Sequence, residues 1–325
     1  MSLVSVLLPA YNAELYISDA LQSVMSQTFK DIEIIVVNDG STDGTLSVIE
    51  ELMTVDERIK VFSKPNGGLI EALNYGLSKC SAEYICRMDA DDRMLPERIQ
   101  KQYDYIVANP SCAVVGCQLN VFSDSPESVK DTDPRPTKPC NVAYFLGYGC
   151  AIAGPAAFYK KSVILSCGGY SEKALSAEDY DLWSRIALQT KYEIANLPDV
   201  LYDYRLNEAG ISFTTRQQQY ETTVFTGDTY RKSWVKGRIF VVTPRQHTAW
   251  LKDCSHLNEE DKEDMMRIYY TVSSWYINDM RKEYPYRAKA NSLLLRVLTR
   301  LYNASDRHYI GGVGDRHVPP NGGAQ

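Results

Sequence analysis

Along the first 122 residues, short apolar runs alternate with segments whose apolar residues recur at helical spacing. The apolar runs have the length and composition of buried strands and lie at 4–9, 32–37, 59–62, 84–88 and 113–122. The helical patterns between them lie at 14–25, 42–51, 69–77 and 96–109. This alternation is typical of βαβ units, so we predict an α/β fold with a mostly parallel central sheet covered on both faces.

A polar cluster follows each of the first four apolar runs. The clusters read YN, NDGS, NGG and DADD, in that order along the chain. In open α/β sheets, ligands bind beyond the carboxyl ends of the strands. The four clusters therefore predict a single ligand site along one edge of the sheet.

Asp89, Asp91 and Asp92 lie within four positions directly after the fourth run. Like charges this close destabilise one another unless a cation or solvent relieves them. A DxD at a strand end can hold Mg²⁺ or Mn²⁺ against a diphosphate, or supply the nucleophile and acid of a phosphatase; a solvated turn is the third interpretation. The phosphatase pattern usually has threonine or valine where this chain has Arg93, and it usually follows the first strand.

Two further groups of acids suggest chemistry. Asp39 ends the second run, where a carboxylate can accept hydrogen bonds from a nucleoside; Ser41 or Thr42 next to it can cap a helix. Glu178 and Asp179 lie where a helix would begin, and a helix N-terminus stabilises a carboxylate that can act as a general base. An acid-rich helix start without a catalytic role is the alternative.

The composition excludes several classes of protein. A net charge of −6 argues against a nucleic-acid partner for the whole molecule. The eight cysteines form no CxxC pair and the four histidines all come late, so we expect free thiols and no zinc cage. There is no leader pattern and no run of about 18 apolar residues, so we expect a cytoplasmic protein.

The chain changes character after residue 122. The polar, proline-rich stretch at 123–139 predicts a loop or lid, and helices are predicted at 217–233, 259–280 and 288–303. Residues 281–307 carry seven basic and two acidic residues, with leucines and arginines on different helical faces. Such a helix can lie on an anionic membrane, or it can pack on the catalytic domain or on a second copy in a homodimer.

Five segments together carry a family resemblance. They are VSVLLPAYNAE, EIIVVNDGSTDGT, PNGGLIEALNYG, YICRMDADDRMLPERI and SAEDYDLWSRIA, and they occur in this order. They resemble the family 2 glycosyltransferases of the GT-A fold, over roughly residues 3–215. Within that family they resemble bacterial enzymes that build lipopolysaccharide, O-antigen, lipooligosaccharide and related polysaccharides.

The resemblance implies a role for each matching position. A nucleotide sugar, most simply a UDP-sugar, would be held by Pro9, Tyr11, Asp39, Asn66, Arg87, Asp89 and Asp91. Asp91 would be the main protein ligand of Mn²⁺ or Mg²⁺, with Asp89 beside it, and Asp92 would give support or start a helix. Asp179 would be the catalytic base and Glu178 would orient the acceptor hydroxyl. Trp183 would stack on a sugar or pack in the core.

Three positions depart from the family pattern. Asn207 stands where many relatives have a histidine that approaches the metal or diphosphate. Leu73 stands where relatives often have arginine, and Gly154 stands where they often have histidine. The first two changes bear on diphosphate contacts and the third on the choice of acceptor.

These patterns predict three regions. A GT-A catalytic domain would cover 1–215, with a donor half at 1–122 and an acceptor half at 123–215. A helical appendage would cover 216–310, and a flexible tail 311–325. The expected activity is inverting, metal-dependent transfer of a hexose or N-acetylhexosamine to a glycan or lipid-linked glycan, by a cytoplasmic protein that can be peripheral at the inner membrane. A catalytically weak nucleotide-sugar-binding scaffold of a glycan assembly complex is the alternative.

Overall fold

The computed structural model describes residues 2–123, 131–133, 135–147, 149–207, 210, 214–234 and 259. The chain divides into two units, Met1–Phe240 and Val241–Gln325, and all the helices and strands given below belong to the first. The predicted helices at 259–280 and 288–303, the basic stretch at 281–307 and the predicted tail lie outside the described residues, apart from Glu259. The predicted domain boundaries stay predictions.

The elements alternate as the sequence predicts. The strands are β1 (Val4–Ala10), β2 (Ile32–Asn38), β3 (Ile59–Ser63), β4 (Tyr84–Arg87), β5 (Arg93–Met94), β6 (Cys112–Phe122), β7 (Asp131–Asp133), β8 (Phe158–Lys160) and β9 (Glu193–Arg205). The helices are α1 (Ile17–Met25), α2 (Thr45–Met53), α3 (Leu69–Lys79), α4 (Arg98–Ala108), α5 (Pro139–Phe145), α6 (Lys161–Ser166), α7 (Glu178–Gln189) and α8 (Arg216–Trp234). A 3-10 turn, Gly154–Ala156, precedes β8.

One sheet in the described part of the chain holds all of these strands. Its order is β3-β2-β1-β4-β8-β6-β9-β5, with β7 paired to β6. The first four strands in that order are parallel, whereas β8 runs antiparallel to both of its neighbours, β4 and β6. The insertion of β8 brings the Gly154–Ala156 turn against β4, where the Arg87 N–H donates to the Ala157 carbonyl at 3.0 Å.

Alternate residues of the parallel strands enter two separate hydrophobic clusters. On one face, Val6 and Leu8 pack with the inner residues of α1, α2 and α4. On the other face, Leu7 packs with the inner residues of α3, α6 and α7. Both faces of these strands are therefore buried, which is why β1 and β2 read as continuous apolar runs.

Some local predictions are wrong. Ser41 and Thr42 do not cap α2, which has Gly44 at its N-cap. The first N–H group of the helix, that of Thr45, donates instead to the Asp43 carboxylate. Part of the predicted loop at 123–139 forms β7 and the start of α5.

Two other expectations concern thiols and membrane spans. The cysteines at 80, 86, 112, 117, 150 and 167 are free thiols, as predicted for them. Within the described ranges, no helix combines the length and apolarity that crossing a bilayer requires.

A buried carboxylate ties together the amino ends of the parallel strands. Glu33 of β2 accepts hydrogen bonds from the Ser5 hydroxyl at 2.6 Å, from the Ser81 N–H at 2.6 Å and from the Lys60 ammonium at 2.9 Å. Burial alone would raise the pKa of Glu33, but the bonds from Ser5, Lys60 and Ser81 lower it from 4.5 to about 2. The ionised carboxylate therefore stabilises the folded state.

We expect Glu33→Gln to lower the free energy of unfolding at pH 7 by about 2–3 kcal/mol. Because the folded pKa lies below the unfolded value, this stabilisation is present above pH 4.5 and is lost as the pH falls toward 2. Urea unfolding at pH 7 and pH 3 measures it, with the exposed Glu57→Gln as control. An equal loss of stability in the Glu33 variant at both pH values would contradict this origin.

Candidate active site

The DADD turn lies between β4 and β5, and β9 packs against it. Asp92 is 1% exposed, and its carboxyl group accepts from the Tyr202 hydroxyl at 2.8 Å and from the Arg205 N–H at 2.7 Å. Burial raises the pKa of Asp92 well above its usual range, and the carboxylates of Asp91 and Asp89 raise it further. Asp92 therefore supports the turn from inside. The alternative that it starts a helix is wrong, because β5 follows it.

Asp91 is half-buried and is held from the side of β9. Its Oδ2 accepts from Asn207 Nδ2 at 3.0 Å, and its carbonyl oxygen accepts from Arg205 Nε at 2.7 Å. The Arg205 guanidinium lies 4.8 Å from the ring centre of Tyr16 and 4.5 Å from that of Phe122. Asn207 thus donates directly to Asp91, the carboxylate predicted to be the main metal ligand.

Arg87 joins the acidic turn to the acids at the start of α7. Its Nη2 lies 3.3 Å from Asp89 Oδ1, and its Nη1 lies 3.1 Å from Glu178 Oε1. Only 1% of Arg87 is exposed, so in this structure its guanidinium meets carboxylates and presents almost no surface to a nucleotide. Burial raises the pKa of Asp89, against the opposing charge of Arg87.

Glu178 and Asp179 are the first two residues of α7. Burial raises the pKa of Glu178 to about 7, although the Arg87 guanidinium opposes this. Asp179 is half-buried, and its two carboxylate oxygens accept from the Gly154 N–H at 2.9 Å and from the Tyr180 N–H at 2.7 Å. The two N–H groups hold the negative charge of Asp179 in a fixed place.

Gly154 packs directly against this group of charges. A Cβ atom at this position would lie 2.4 Å from Arg87 Nη1 and 2.9 Å from Asp179 Oδ2. Any side chain here must push these two groups aside. Glycine at position 154 therefore allows Arg87 and Asp179 to lie where the structure has them.

We expect Gly154→Ala to lower kcat by about 10- to 100-fold without unfolding the protein, because displacement of a reacting group by about 1 Å costs up to that much. Steady-state kinetics and a thermal melt measure the two effects. Gly149→Ala is the matched control, since among the described residues its Cβ would meet only Phe145, at 3.4 Å. Equal kcat values for the two variants would show that the close packing at Gly154 is unimportant.

Asp39, at the end of β2, is enclosed by the loop that follows β3. It is 3% exposed, and its carboxylate accepts from Lys64 Nζ at 2.6 Å and from the N–H groups of Gly67 and Gly68 at 3.1 and 2.8 Å. Lys64 Nζ also donates to the Pro65 carbonyl at 2.6 Å and lies 3.1 Å from Glu71 Oε1. A carboxylate has about four acceptor positions, so one remains for a ligand.

The other predicted nucleotide contacts lie near the same edge. Tyr11, directly after β1, is 52% exposed, whereas Pro9 is buried within β1. Asn66 is exposed in the loop around Asp39. Gly40 allows this loop to approach, because its φ is +71° and a Cβ there would lie 2.5 Å from the Asn66 nitrogen.

Two side chains that the sequence analysis considered as possible site residues lie in the hydrophobic core. Trp183 is fully buried and donates from Nε1 to the Ile152 carbonyl at 3.0 Å, so it packs in the core and does not stack on a sugar here. Leu73 is also fully buried, in the cluster between α3 and the sheet. At this position the chain uses an apolar side chain for packing.

The carboxylates of the acidic turn fit a hard divalent cation only in part. Asp89 and Asp91 offer the oxygen ligands that Mg²⁺ and Mn²⁺ prefer. In the portion of the chain that the structure describes, however, no group of three or more His, Cys, Asp or Glu side chains is placed to hold a metal. This fits a cation that takes its remaining ligands from substrate phosphates and water.

Sequence reasoning missed several contributors to this site. Lys64 at Asp39, Tyr202 at Asp92 and the Gly154 N–H at Asp179 are contacts between residues far apart in the chain. No periodicity or motif marks them. Arg205 ends β9, and its attachment to the DADD turn depends on the pairing of β5 with β9.

Comparisons with known proteins agree with the sequence motifs. A family model described as glycosyl transferase family 2 matches residues 5–165. An uncharacterized glycosyltransferase of Haemophilus influenzae is 35% identical over 235 residues, covering 68% of this chain and 70% of that protein. The O-antigen biosynthesis glycosyltransferase WbnJ of Escherichia coli is 31% identical over 214 residues, covering 64% and 81%.

Solved structures share the fold. S. aureus TarS 1–349 in complex with UDP-GlcNAc has a TM-score of 0.58 at 18% identity, covering 94% of this chain and 92% of that one. The mannosyltransferase PcManGT of Pyrobaculum calidifontis, in complex with GDP-Man and Mn²⁺, has a TM-score of 0.57 at 17% identity, covering 96% and 88%. The predicted α/β fold of GT-A type is confirmed.

Proposed function

The chain belongs to glycosyltransferase family 2, and from that premise we propose that it is an inverting, metal-dependent hexosyltransferase. It moves a hexose or N-acetylhexosamine from a nucleotide sugar, a UDP-sugar, to a hydroxyl group of a glycan or glycolipid acceptor. One observation carries the proposal: the buried Arg87 bridges Asp89, on the donor side, to Glu178, which precedes the base Asp179.

The acceptor side supplies the base. Asp179 takes the proton of the acceptor hydroxyl while Glu178, held by Arg87, orients that hydroxyl. The acceptor oxygen attacks the anomeric carbon from the face opposite the leaving diphosphate, and the bond to the diphosphate breaks in the same step. A single displacement inverts configuration, so an α-linked donor gives a β-glycoside.

The donor side holds the nucleotide diphosphate. Asp91, with Asp89, would hold Mn²⁺ or Mg²⁺, which when bound offsets the charge on the departing diphosphate. Asp39 accepts a hydrogen bond from the nucleoside, and Tyr11 and Asn66 offer exposed surface beside it. Positioning and preorganised charge supply most of the rate enhancement.

The relatives support a place in cell-surface polysaccharide synthesis. One of them is an O-antigen biosynthesis enzyme, and the structures that share the fold were obtained with UDP-GlcNAc and with GDP-Man and Mn²⁺. We extend the proposal to a cytoplasmic enzyme that meets a lipid-linked acceptor at the inner membrane. The basic stretch at 281–307 would contact that surface or pair two copies of the chain.

The test is donor turnover. The purified protein is incubated with a panel of UDP-sugars, with Mn²⁺ or with EDTA, and with or without an extract of acceptor glycans. We expect UDP release that requires both the cation and the acceptor. The anomeric configuration of the product, read by NMR, should be the inverse of the donor's.

Other results would favour other functions. Cation-dependent UDP binding without release, even with the acceptor extract, would favour the nucleotide-sugar-binding scaffold. Hydrolysis of a phosphate monoester that disappears in Asp89→Asn would favour the phosphatase. UDP release that persists in EDTA would refute the metal requirement.

A further inference from the structure

The side chain of Arg98, on α4, is fully buried. Its Nη2 donates to the carbonyl oxygens of Arg87 at 2.8 Å and Pro155 at 3.0 Å, and the Ala157 carbonyl oxygen lies at 3.4 Å. Arg87 belongs to the donor half of the site, and the other two carbonyls belong to the acceptor half. One guanidinium group therefore fastens the two halves together through their backbones.

Gln102, one helical turn later, continues this attachment. Its Oε1 accepts from Arg98 Nε at 3.0 Å, and its Nε2 donates to the carbonyl oxygens of Val115 at 3.0 Å and Ala156 at 2.9 Å. Arg98 and Gln102 together hold the carbonyl groups of three consecutive residues, 155 to 157.

The backbone just upstream of these carbonyls meets Asp179. The Gly154 N–H donates to Asp179 Oδ2 at 2.9 Å. The 3-10 turn links this N–H to the anchored residues, because the Ala156 N–H donates at 3.0 Å to the carbonyl of Ala153, which shares a peptide plane with the Gly154 N–H. The position of the Asp179 carboxylate thus depends on two side chains that do not touch it.

Stability alone does not account for a buried guanidinium here. In the part of the chain that the structure describes, Arg98 forms no ion pair with a carboxylate, and its Nη1 has no hydrogen-bond partner. A buried cation without a carboxylate partner carries a large desolvation cost. The multiple donors of Arg98 are instead suited to holding several carbonyls in one arrangement.

Arg98 also contacts a side chain that supports the acidic turn. Its guanidinium carbon lies 4.7 Å from the ring centre of Tyr202. The Tyr202 hydroxyl donates to Asp92 at 2.8 Å and accepts from the Asp89 N–H at 3.3 Å. The same side chain therefore contacts the supports of both the donor carboxylates and the acceptor base.

We propose that Arg98 and Gln102 are positioning residues that hold the 154–157 backbone and thereby set the distance between Asp179 and the donor carboxylates. The inference rests on the proposed function, because it assigns Asp179 the role of base. Its physical part, the anchoring of the backbone, is measured without any substrate.

Hydrogen–deuterium exchange measures the anchoring in the full chain. In Gln102→Met we expect the amides of Gly154, Ala156 and Ala157 to exchange about tenfold faster, because the Gln102 hydrogen bonds to Val115 and Ala156 are lost. Gln100→Met is the matched control, since Gln100 lies on the same helix but bonds Asp104 at the surface. Exchange elsewhere in the sheet should be the same in both variants.

Kinetics measures the consequence for catalysis. We expect Gln102→Met and Arg98→Lys to lower kcat about tenfold while the KM for the donor changes by less than about twofold, as for a misplaced reacting group. Lysine keeps the charge of Arg98 but cannot span the same set of carbonyls. Gln100→Met should keep the wild-type kcat.

The outcomes separate the two levels of the proposal. Unchanged exchange at 154–157 in Gln102→Met would overturn the anchoring. Faster exchange with an unchanged kcat would overturn the link to Asp179. A wild-type protein that transfers no sugar, in which Gln102→Met nevertheless accelerates exchange at 154–157, would refute the proposed function and leave the anchoring supported.

Discussion

Asp179→Asn is expected to lower kcat about 10³-fold while leaving cation-dependent UDP binding unchanged. General-base catalysis contributes about 10²- to 10⁴-fold, and asparagine cannot take a proton. The amide oxygen can still accept from the Gly154 N–H, so the backbone at 154–157 should keep its place. Single-turnover kinetics and calorimetric titration with UDP measure the two quantities.

The control for this variant lies on the same helix. Asp181→Asn makes the same chemical change two residues later, where the carboxylate pairs with Arg185 at 2.7 Å. We expect a kcat within about threefold of wild type, since surface ion pairs contribute little. Similar losses in the two variants would mean that the start of α7, and not the Asp179 carboxylate, is what matters.

Asp91→Asn is expected to weaken Mn²⁺ binding, measured in the presence of UDP, by about 100-fold or more. Loss of an outer-shell partner of a metal ligand already costs about 10- to 100-fold, and loss of a direct ligand should cost at least as much. The amide keeps an oxygen beside Asn207 but removes the negative charge that the cation requires. Titration followed by the electron paramagnetic resonance signal of free Mn²⁺ gives the Kd.

Asp104→Asn controls for the change in net charge. Asp104 is exposed on α4, and its carboxylate accepts from Gln100 Nε2 at 2.9 and 3.0 Å. The Asp104→Asn variant should bind Mn²⁺ with the wild-type affinity. If Asp91→Asn also bound Mn²⁺ with the wild-type Kd, the cation would have to be assigned to Asp89 or to the substrate alone.

The edge of the sheet could be predicted from sequence because its determinants are local. Each parallel strand is a short apolar run with a polar residue at its end, so Asp39 and Asp89 could be placed at one edge from hydrophobic pattern alone. The start of α7 at Glu178 was also within one residue of the prediction. These features can be predicted because each depends only on residues that are close together in the sequence.

The interior of the site could not be predicted, because its contacts join distant residues. The antiparallel insertion of β8 beside β4, which brings Gly154 to Arg87, depends on pairing between segments far apart in the chain. The resemblance placed Arg87 near a nucleotide, whereas the structure surrounds it with Asp89 and Glu178. Arg98 lies within the fourth segment of the family resemblance, but its helical position alone does not show that its side chain is buried.

The enclosure of Asp39 bears on which nucleobase the site can select. Lys64 has three N–H groups, and Asp39, Glu71 and the Pro65 carbonyl take all of them. What remains at this position is a single acceptor lobe on the Asp39 carboxylate. A base that meets that lobe must donate a hydrogen to it, which the ring N–H of uracil or guanine can do. Cytosine and adenine have a lone pair at the corresponding ring nitrogen and could donate only from their exocyclic amino groups, so the placement of one hydrogen would separate the donor classes.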